Sequence, residues 1–374
     1  AKNKPVFTVV KQNPITSIKD QNRSGTCWAY STLSYFESEI LKHTGKTYDL
    51  SEMFVANKTY MDRATMAVRM HGDVSFSQGG SAYDVLYALQ HYGIVPEGAM
   101  PAPGTLTGDS LANFGEFFDV MTPYVEAVAK SNAKKISSAW KSGLQGIIDS
   151  YIGKTPEKFT YQGKQYTPQS FCQSLGLNLD DYVTITSYTH HPMWSKFAVE
   201  VQDNWRWPLS YNVPMDDLCK IIDNAINNGY TVAWGGDVTE DGFTRKGLGI
   251  AYDVKKVRSM AGTDADHWFK LSKDEKKEKF DSLGVNAPEV VPTQAMRQEA
   301  FDNWETTDDH GMHIYGIAKD QNGKEYYMVK NSWGEYGDYK GTWYMTKAFV
   351  AYKTMDFMVN KNAIPKDIRK KLGI

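Results

Sequence analysis

What most constrains this chain is the run from Gln21 to Ser31, which sets Cys27 where a glycine-containing loop enters an amphipathic helix. Behind the cysteine, Ala29, Leu33, Phe36 and Ile40 recur at steps of four, three and four, on one helical face. Lys42 and His43 then fall in the last turn and Gly45 follows, a helix C-terminus. Two later stretches complete a set: Asp309-His310-Gly311-Met312 brings a histidine, and Lys330-Asn331-Ser332-Trp333-Gly334 an asparagine. A cysteine, a histidine and an asparagine in that order are the parts of a thiol peptidase. His310 lies 283 positions after Cys27, so a fold that uses both must bring distant parts of the chain together.

The other periodicities predict a helical N-terminal half and a β-rich C-terminal half. A helix is expected after Gly79-Gly80, through Tyr83, Leu86, Tyr87 and Gln90, stopping before Gly93. Residues from about 110 to 150 read as long helices interrupted at Gly143 and Gly146. Tyr161 to Tyr166 reads as a tight turn between short strands, and Pro214 to Asn228 as a helix with Leu218, Ile221, Ile222 and Ala225 on one face. Strands are expected at 230–234, 310–318, 325–330 and 342–345, the middle pair joined by a turn at Asp320-Gln321-Asn322-Gly323.

With 41% hydrophobic residues in 374, the chain can bury one large or two moderate cores. The net charge of −2 gives no global reason to expect nucleic acid or an anionic membrane as partner, and the basic run Lys366 to Lys371 reads as a solvated helix face. No stretch has the apolar length of a membrane span. Three cysteines are too few for a disulfide framework; Cys172 and Cys219 could pair or stay reduced, and core thiols are the simpler reading. The chain begins at Ala1; signal-peptide removal, methionine trimming or a trimmed start each account for that, so the compartment stays open.

The thiolate is the nucleophile, and a free thiol, with a pKa near 8.5, is mostly protonated at neutral pH. A helix N-terminus and an imidazolium both lower that value, and Cys27 has the first from its own helix and His310 to supply the second. The imidazolium then protonates the leaving amine. Gln21 and the backbone N–H of Cys27 are the candidate oxyanion donors. Asn331 can hold the imidazole, and Trp333 can cover that bond. His313 competes with His310, but three positions along a strand reverse the facing, so only one of them points at the site.

The segments Gln21 to Tyr30, Asp309 to Met312 and Asn331 to Gly334 resemble the signature segments of papain-like (C1) cysteine peptidases. Leu50-Ser51-Glu52 and Ser77-Gln78-Gly79-Gly80 fit the same family, in which the glycine pair, here Gly79 and Gly80, binds substrate backbone beside the nucleophile, and Trp28 is part of the signature. Residues 153–160, 181–185, 233–238 and 364–368 resemble the bleomycin hydrolase / aminopeptidase C branch. The resemblance implies an α+β, papain-like two-lobed fold, a helical lobe plus a β-barrel-like lobe, with a helical insertion that accounts for the long Cys27–His310 separation. The expected division is 1–104 for the helical lobe with the nucleophile, 105–205 for a mostly helical insertion, and 206–374 for the β-rich lobe with His310, Asn331 and the C-terminal segment. It also implies peptide substrates, an acyl-thioester on Cys27, no cofactor, a homo-hexamer and a cytoplasmic setting. In that branch a C-terminal tail enters the cleft and its carboxylate receives the substrate amine. This chain ends at Leu372-Gly373-Ile374, short of such a tail, so an endopeptidase with an open cleft is the alternative expectation.

Two other classes compete with this reading. A catalytically inactive peptide-binding homologue is opposed by the intact Gln21, Cys27, His310 and Asn331 set. A metal-dependent hydrolase needs ligands at helical or paired-cysteine spacing, and none occurs. Adjacent His190 and His191 before Pro192 read as a loop, and His267 beside Trp268 as structural.

Overall fold

The computed structural model describes residues 3–103, 111–260, 268 and 270–374. His267 and the expected boundary at 104/105 lie outside the described residues.

Helix α1 (Cys27–Thr44) buries its predicted face, Ala29, Leu33, Phe36 and Ile40, and stops at Gly45, whose left-handed backbone (φ 71°) returns its N–H to the Leu41 carbonyl. The helix is buried nearly all round, Ser31, Thr32, Ser34, Glu37, Ser38 and Glu39 included, because it runs between two lobes. On one side it meets α2 (Glu52–Arg69) and α3 (Ala82–His91). Ser51 caps α2 by accepting the Phe54 N–H at 3.2 Å, and Asp84 caps α3 by accepting the Ser81 N–H at 2.9 Å. Helices α4 (Gly115–Ala129) and α5 (Ala139–Ile152) pack on α2 and on each other, and α6 (Pro168–Ser174) follows. One apolar core runs from Trp28 through Phe117, Leu144 and Phe171 to Leu175, so α4 to α6 extend the core of the helical lobe. Gly143 and Gly146 lie inside α5 instead of interrupting it; a Cβ on Gly143 would strike the Tyr124 hydroxyl, so the glycine lets α4 and α5 approach.

The strands are β1 (Thr8–Gln12), β2 (Phe159–Tyr161), β3 (Lys164–Tyr166), β4 (Tyr182–Thr186), β5 (Lys196–Phe197), β6 (Ser210–Asn212), β7 (Val232–Gly236), β8 (Phe243–Thr244), β9 (Leu248–Gly249), β10 (His310–Lys319), β11 (Glu325–Lys330), β12 (Thr342–Thr346) and β13 (Thr354–Asn360). The pair β2–β3 is a separate hairpin turning at Gln162 and Gly163 (φ 48° and 78°). The other eleven strands form one mixed sheet, ordered β5-β6-β4-β13-β7-β10-β11-β12-β9-β8, with β1 alongside the second half of β10. The stretch 182–205, expected within a mostly helical insertion, thus lends β4 and β5 to this sheet. Its own helix, α7 (Met215–Asn227), buries Leu218, Ile221, Ile222 and Ala225 against Trp234, Met312 and Phe357.

The central register positions the site. His310 lies opposite Gly236 and Gly311 opposite Gly235 on β7, whose other edge sets Gly235 opposite Asp356 and Gly236 opposite Thr354. Strand β13 then runs away from these glycines toward Asn360, paired with Tyr182. The last helix, Lys366–Leu372, buries Ile368 and Leu372 in the core of the sheet lobe, and Ile374 packs against the same cluster.

Candidate active site

Two lobes meet over a pocket of about 150 Å³ whose lining includes Cys27, Trp28, Gly79 and Gly80 from the helical side and Trp234, Gly235, His310 and Gly311 from the sheet. Cys27 begins α1, and the backbone N–H groups of Gly311 and Trp28 point at its sulfur. Gly311 follows His310, so this contact ties the nucleophile to the start of β10. A Cβ on Gly311 would stand 2.9 Å from the Ser31 hydroxyl, so the strand approaches α1 only because the residue is glycine.

His310 is only 7% exposed. Its Nε2 lies 2.9 Å from Asn331 Oδ1, and the same oxygen accepts the Ser332 backbone N–H at 2.8 Å. A backbone N–H can only donate, so the amide orientation is set and Nε2 must carry the hydrogen. Nδ1 is left as the free lone pair. Trp333 lies over the ring, centroids 5.0 Å apart, and is itself packed edge-on against Trp343. His313, on the same strand, is fully buried elsewhere: its Nδ1 is 2.8 Å from the Ser34 hydroxyl, and it does not line the pocket.

Gln21 reaches this region through a short antiparallel crossing, in which Gln21 N–H donates to Ser332 O and Gly334 N–H to Lys19 O at 2.8 and 3.0 Å. Its Oε1 accepts the Ser332 hydroxyl at 2.6 Å, and its Nε2 donates one hydrogen to Ser24 O at 2.9 Å. Gln21, Asn331 and Trp333 stand behind the pocket instead of lining it. On the opposite wall, Trp28 Nε1 donates to Gly25 O and Gln78 O, both at 3.0 Å. A Cβ on Gly80 would meet the Trp28 ring at 2.7 Å, and one on Gly79 would strike the Asp203 carboxylate.

Burial pushes the Cys27 thiol up to about 12; the Gly311 and Trp28 N–H groups oppose this, while the charges of Asp308 and Asp203 add to it. Burial also holds the His310 imidazole down, to about 4, against the Asn331 bond. Burial thus disfavours the charged form of each group taken alone.

Four aspartates line the pocket; Asp309 belongs to the His310 motif, and Asp203, Asp308 and Asp356 escaped sequence reasoning as site residues. Only Asp308 carried a local signal, two residues before His310. Arg63 was missed as well; fully buried on α2, it donates to Gly79 O at 2.7 Å and to Asp203 Oδ1 at 2.9 Å.

Cys172 and Cys219 are free thiols in separate cores. Among the described residues the single group with metal-ligating proximity is His190, His191 and Glu200. Gln298 Oε1 accepts the Thr189 N–H at 2.6 Å, which turns its Nε2 to donate to His190 Nδ1 at 3.1 Å. Nε2 of His190 therefore carries the hydrogen and donates it to Glu200 at 3.0 Å, and the group is satisfied as hydrogen bonds.

Residues 55–373 match the model of the Peptidase C1-like family. Aminopeptidase G of Lactobacillus delbrueckii subsp. lactis is 23% identical, over 96% of this chain and 84% of that protein. Aminopeptidase C of Lactobacillus helveticus is 24% identical, over 97% and 85%. The crystal structure of pepw from Lactobacillus rhamnosis HN001 superposes with a TM-score of 0.72 at 19% identity, covering 98% of this chain and 84% of that one, and shows the papain-like fold.

Proposed function

The chain belongs to the Peptidase C1-like family, and from that premise we propose that it is a cysteine aminopeptidase, with Cys27 as nucleophile and His310 as the proton carrier. The observation that carries this reading is the orientation of His310: Asn331 holds Nε2 and leaves Nδ1 free in the pocket that Cys27 lines. Nδ1 takes the thiol proton as sulfur attacks the scissile carbonyl, and returns it to the leaving amine. Water, deprotonated by the same nitrogen, then hydrolyses the thioester. The oxyanion is assigned to the Cys27 N–H at the helix N-terminus, with Gln21, behind the pocket, as the proposed second donor because Ser24 takes only one of its two Nε2 hydrogens. Gly79 and Gly80 offer an unhindered backbone edge to the peptide. A homo-oligomer is proposed on family resemblance alone; a solution mass equal to one chain of 42.2 kDa overturns it.

The test uses alanine 7-amido-4-methylcoumarin and its N-acetyl counterpart. The native protein is expected to release coumarin from the free-amine substrate, iodoacetamide and Cys27→Ser to abolish release, and EDTA to spare it. Equal cleavage of both substrates removes the aminopeptidase assignment, and activity that survives alkylation removes Cys27.

A further inference from the structure

Carboxylates enter the cleft from three separate parts of the chain, and their partners are unequal. Asp203, in the loop after β5, is paired with Arg63 at 2.9 Å. Asp308 precedes β10, and Asp356 lies on β13 opposite Gly235, where a Cβ would come within 3.0 Å of its Oδ1. Neither Asp308 nor Asp356 has a hydrogen-bond partner among the described residues, and Asp308 is pressed by the charges of Asp356, Asp203 and Asp309. Asp309 differs: it accepts the Val238 N–H and the hydroxyls of Thr239 and Thr307 at 2.7–2.8 Å, so its carboxylate is used by the fold. Burial and repulsion push Asp308 well above the usual carboxylate range, and burial takes Asp356 up to about 7 against the Arg297 charge.

Asp203 has Arg63 and Asp356 feels the Arg297 charge, but Asp308 is faced by carboxylates alone, so a cation from outside is the natural complement. The place for that cation is the catalytic pocket itself: Asp308 and Asp356 line it together with Cys27 and His310, so an ammonium they hold lies beside the reacting groups. The three carboxylates do not converge as a metal cluster would. A primary ammonium needs no closed ligand sphere, because its three hydrogens go to separate acceptors. Asp308 also borders a larger hollow of about 910 Å³, shared with Val201, so it stands where a longer peptide would continue past the pocket.

Resting on the aminopeptidase reading above, we propose that Asp308 and Asp356 receive the α-ammonium group of the peptide substrate, with Asp203 behind them, and so set where the substrate's N-terminus stops in the cleft. The specificity for a free amine is then built from strand-end side chains of the sheet lobe. Arg63 holds Asp203 fixed against Gly79, and Gly235 leaves room for the ammonium beside Asp356.

The test is the ratio of kcat/KM for the alanine coumarin amide to that for its N-acetyl form, measured in the native chain, in Asp308→Asn and in Asp356→Asn. Both substrates are read on the same preparation, so a misfolded fraction or a changed thiol cancels. Each variant is expected to lower the ratio by at least about tenfold, the loss of a charge-assisted hydrogen bond. An unchanged ratio in both variants overturns the proposal while leaving the peptidase reading intact. So does native cleavage of acetyl-lysyl-alanine coumarin amide as efficient as that of the free-amine substrate, since the carboxylates would then read a lysine side chain. If the native chain shows no alkylation-sensitive cleavage of any of the three substrates, the reading of the site fails first and the proposal with it.

Discussion

At the scale of single residues, the identity of the atom that meets the His310 ring decides its chemistry. Asn331 Oδ1, oriented by the Ser332 N–H, leaves Nδ1 as the only ring atom able to accept a proton in the pocket. Because burial lowers the imidazole to about 4, that lone pair survives at pH values where free histidine is charged. Below about 4 the ring is protonated from solvent and can no longer take the thiol proton. The rate of Cys27 alkylation by iodoacetamide is therefore expected to stay flat from neutral pH to about 5 and to fall through about 4. A tenfold loss per pH unit beginning near 8.5, the behaviour of an isolated thiol, would sink the pairing. The stretches holding Cys27, His310 and Asn331 were legible because each carries its neighbours with it: a loop and helix, a strand, a turn with Trp333. Asp356 and Asp203 were not, because they acquire meaning only through a strand register and a loop that local pattern cannot reveal.

At the scale of elements, the helices α1, α3 and α7 followed their apolar spacing, and β7, β10, β11 and β12 fell where alternation and turn residues put them. The failures have physical causes. A glycine at 143 suggests a helix break, but its lack of a side chain serves helix contact. Strands β5 and β6 have two and three residues, too short for any periodicity to register. The link between α2 and the cleft wall is also invisible in sequence, being made by one side chain. Arg63 donates to Ser75 O and Oγ, Gly79 O, Gln202 O and Asp203, so one guanidinium pins the Gly79 segment and the 202–203 loop to the helix. Arg63→Met strands these acceptors and is expected to cost about 3 kcal/mol in chemical denaturation. Arg63→Lys should recover little, since an ammonium cannot reach acceptors spread around a planar fork. A loss in Arg63→Met of less than about 0.5 kcal/mol would show that the cleft wall holds itself.

At the scale of the whole molecule, the two lobes share α1, and its contact with β10 carries a buried histidine with no catalytic use. His313 is fully buried, with Nδ1 at 2.8 Å from Ser34 on α1, the Tyr35 ring edge-on at 6.0 Å, Ala233 opposite on β7 and Lys330 opposite on β11. Its Nε2 has no partner. Burial, and then the Lys330 charge, hold its pKa well below 6.5, while Lys330 is itself pushed down to about 8 by burial. The folded state therefore binds fewer protons at this site than the unfolded chain. Its contribution to stability is present above the unfolded value of about 6.5 and is lost as pH falls below it. Buried carboxyls such as Glu37 and Glu39, raised by burial, act in the opposite sense, so the total stability of the chain does not isolate the effect. The difference between two chains does. His313→Asn keeps a hydrogen-bonding amide near the Nδ1 position and removes the titration. The native chain is then expected to lose up to about 2 kcal/mol more than the variant between pH 7 and pH 5, read from urea unfolding at each pH. Parallel losses in the two chains would mean that the lobe contact opens before His313 is charged, so that the lobes separate as independent units and the pocket dissolves before the sheet unfolds.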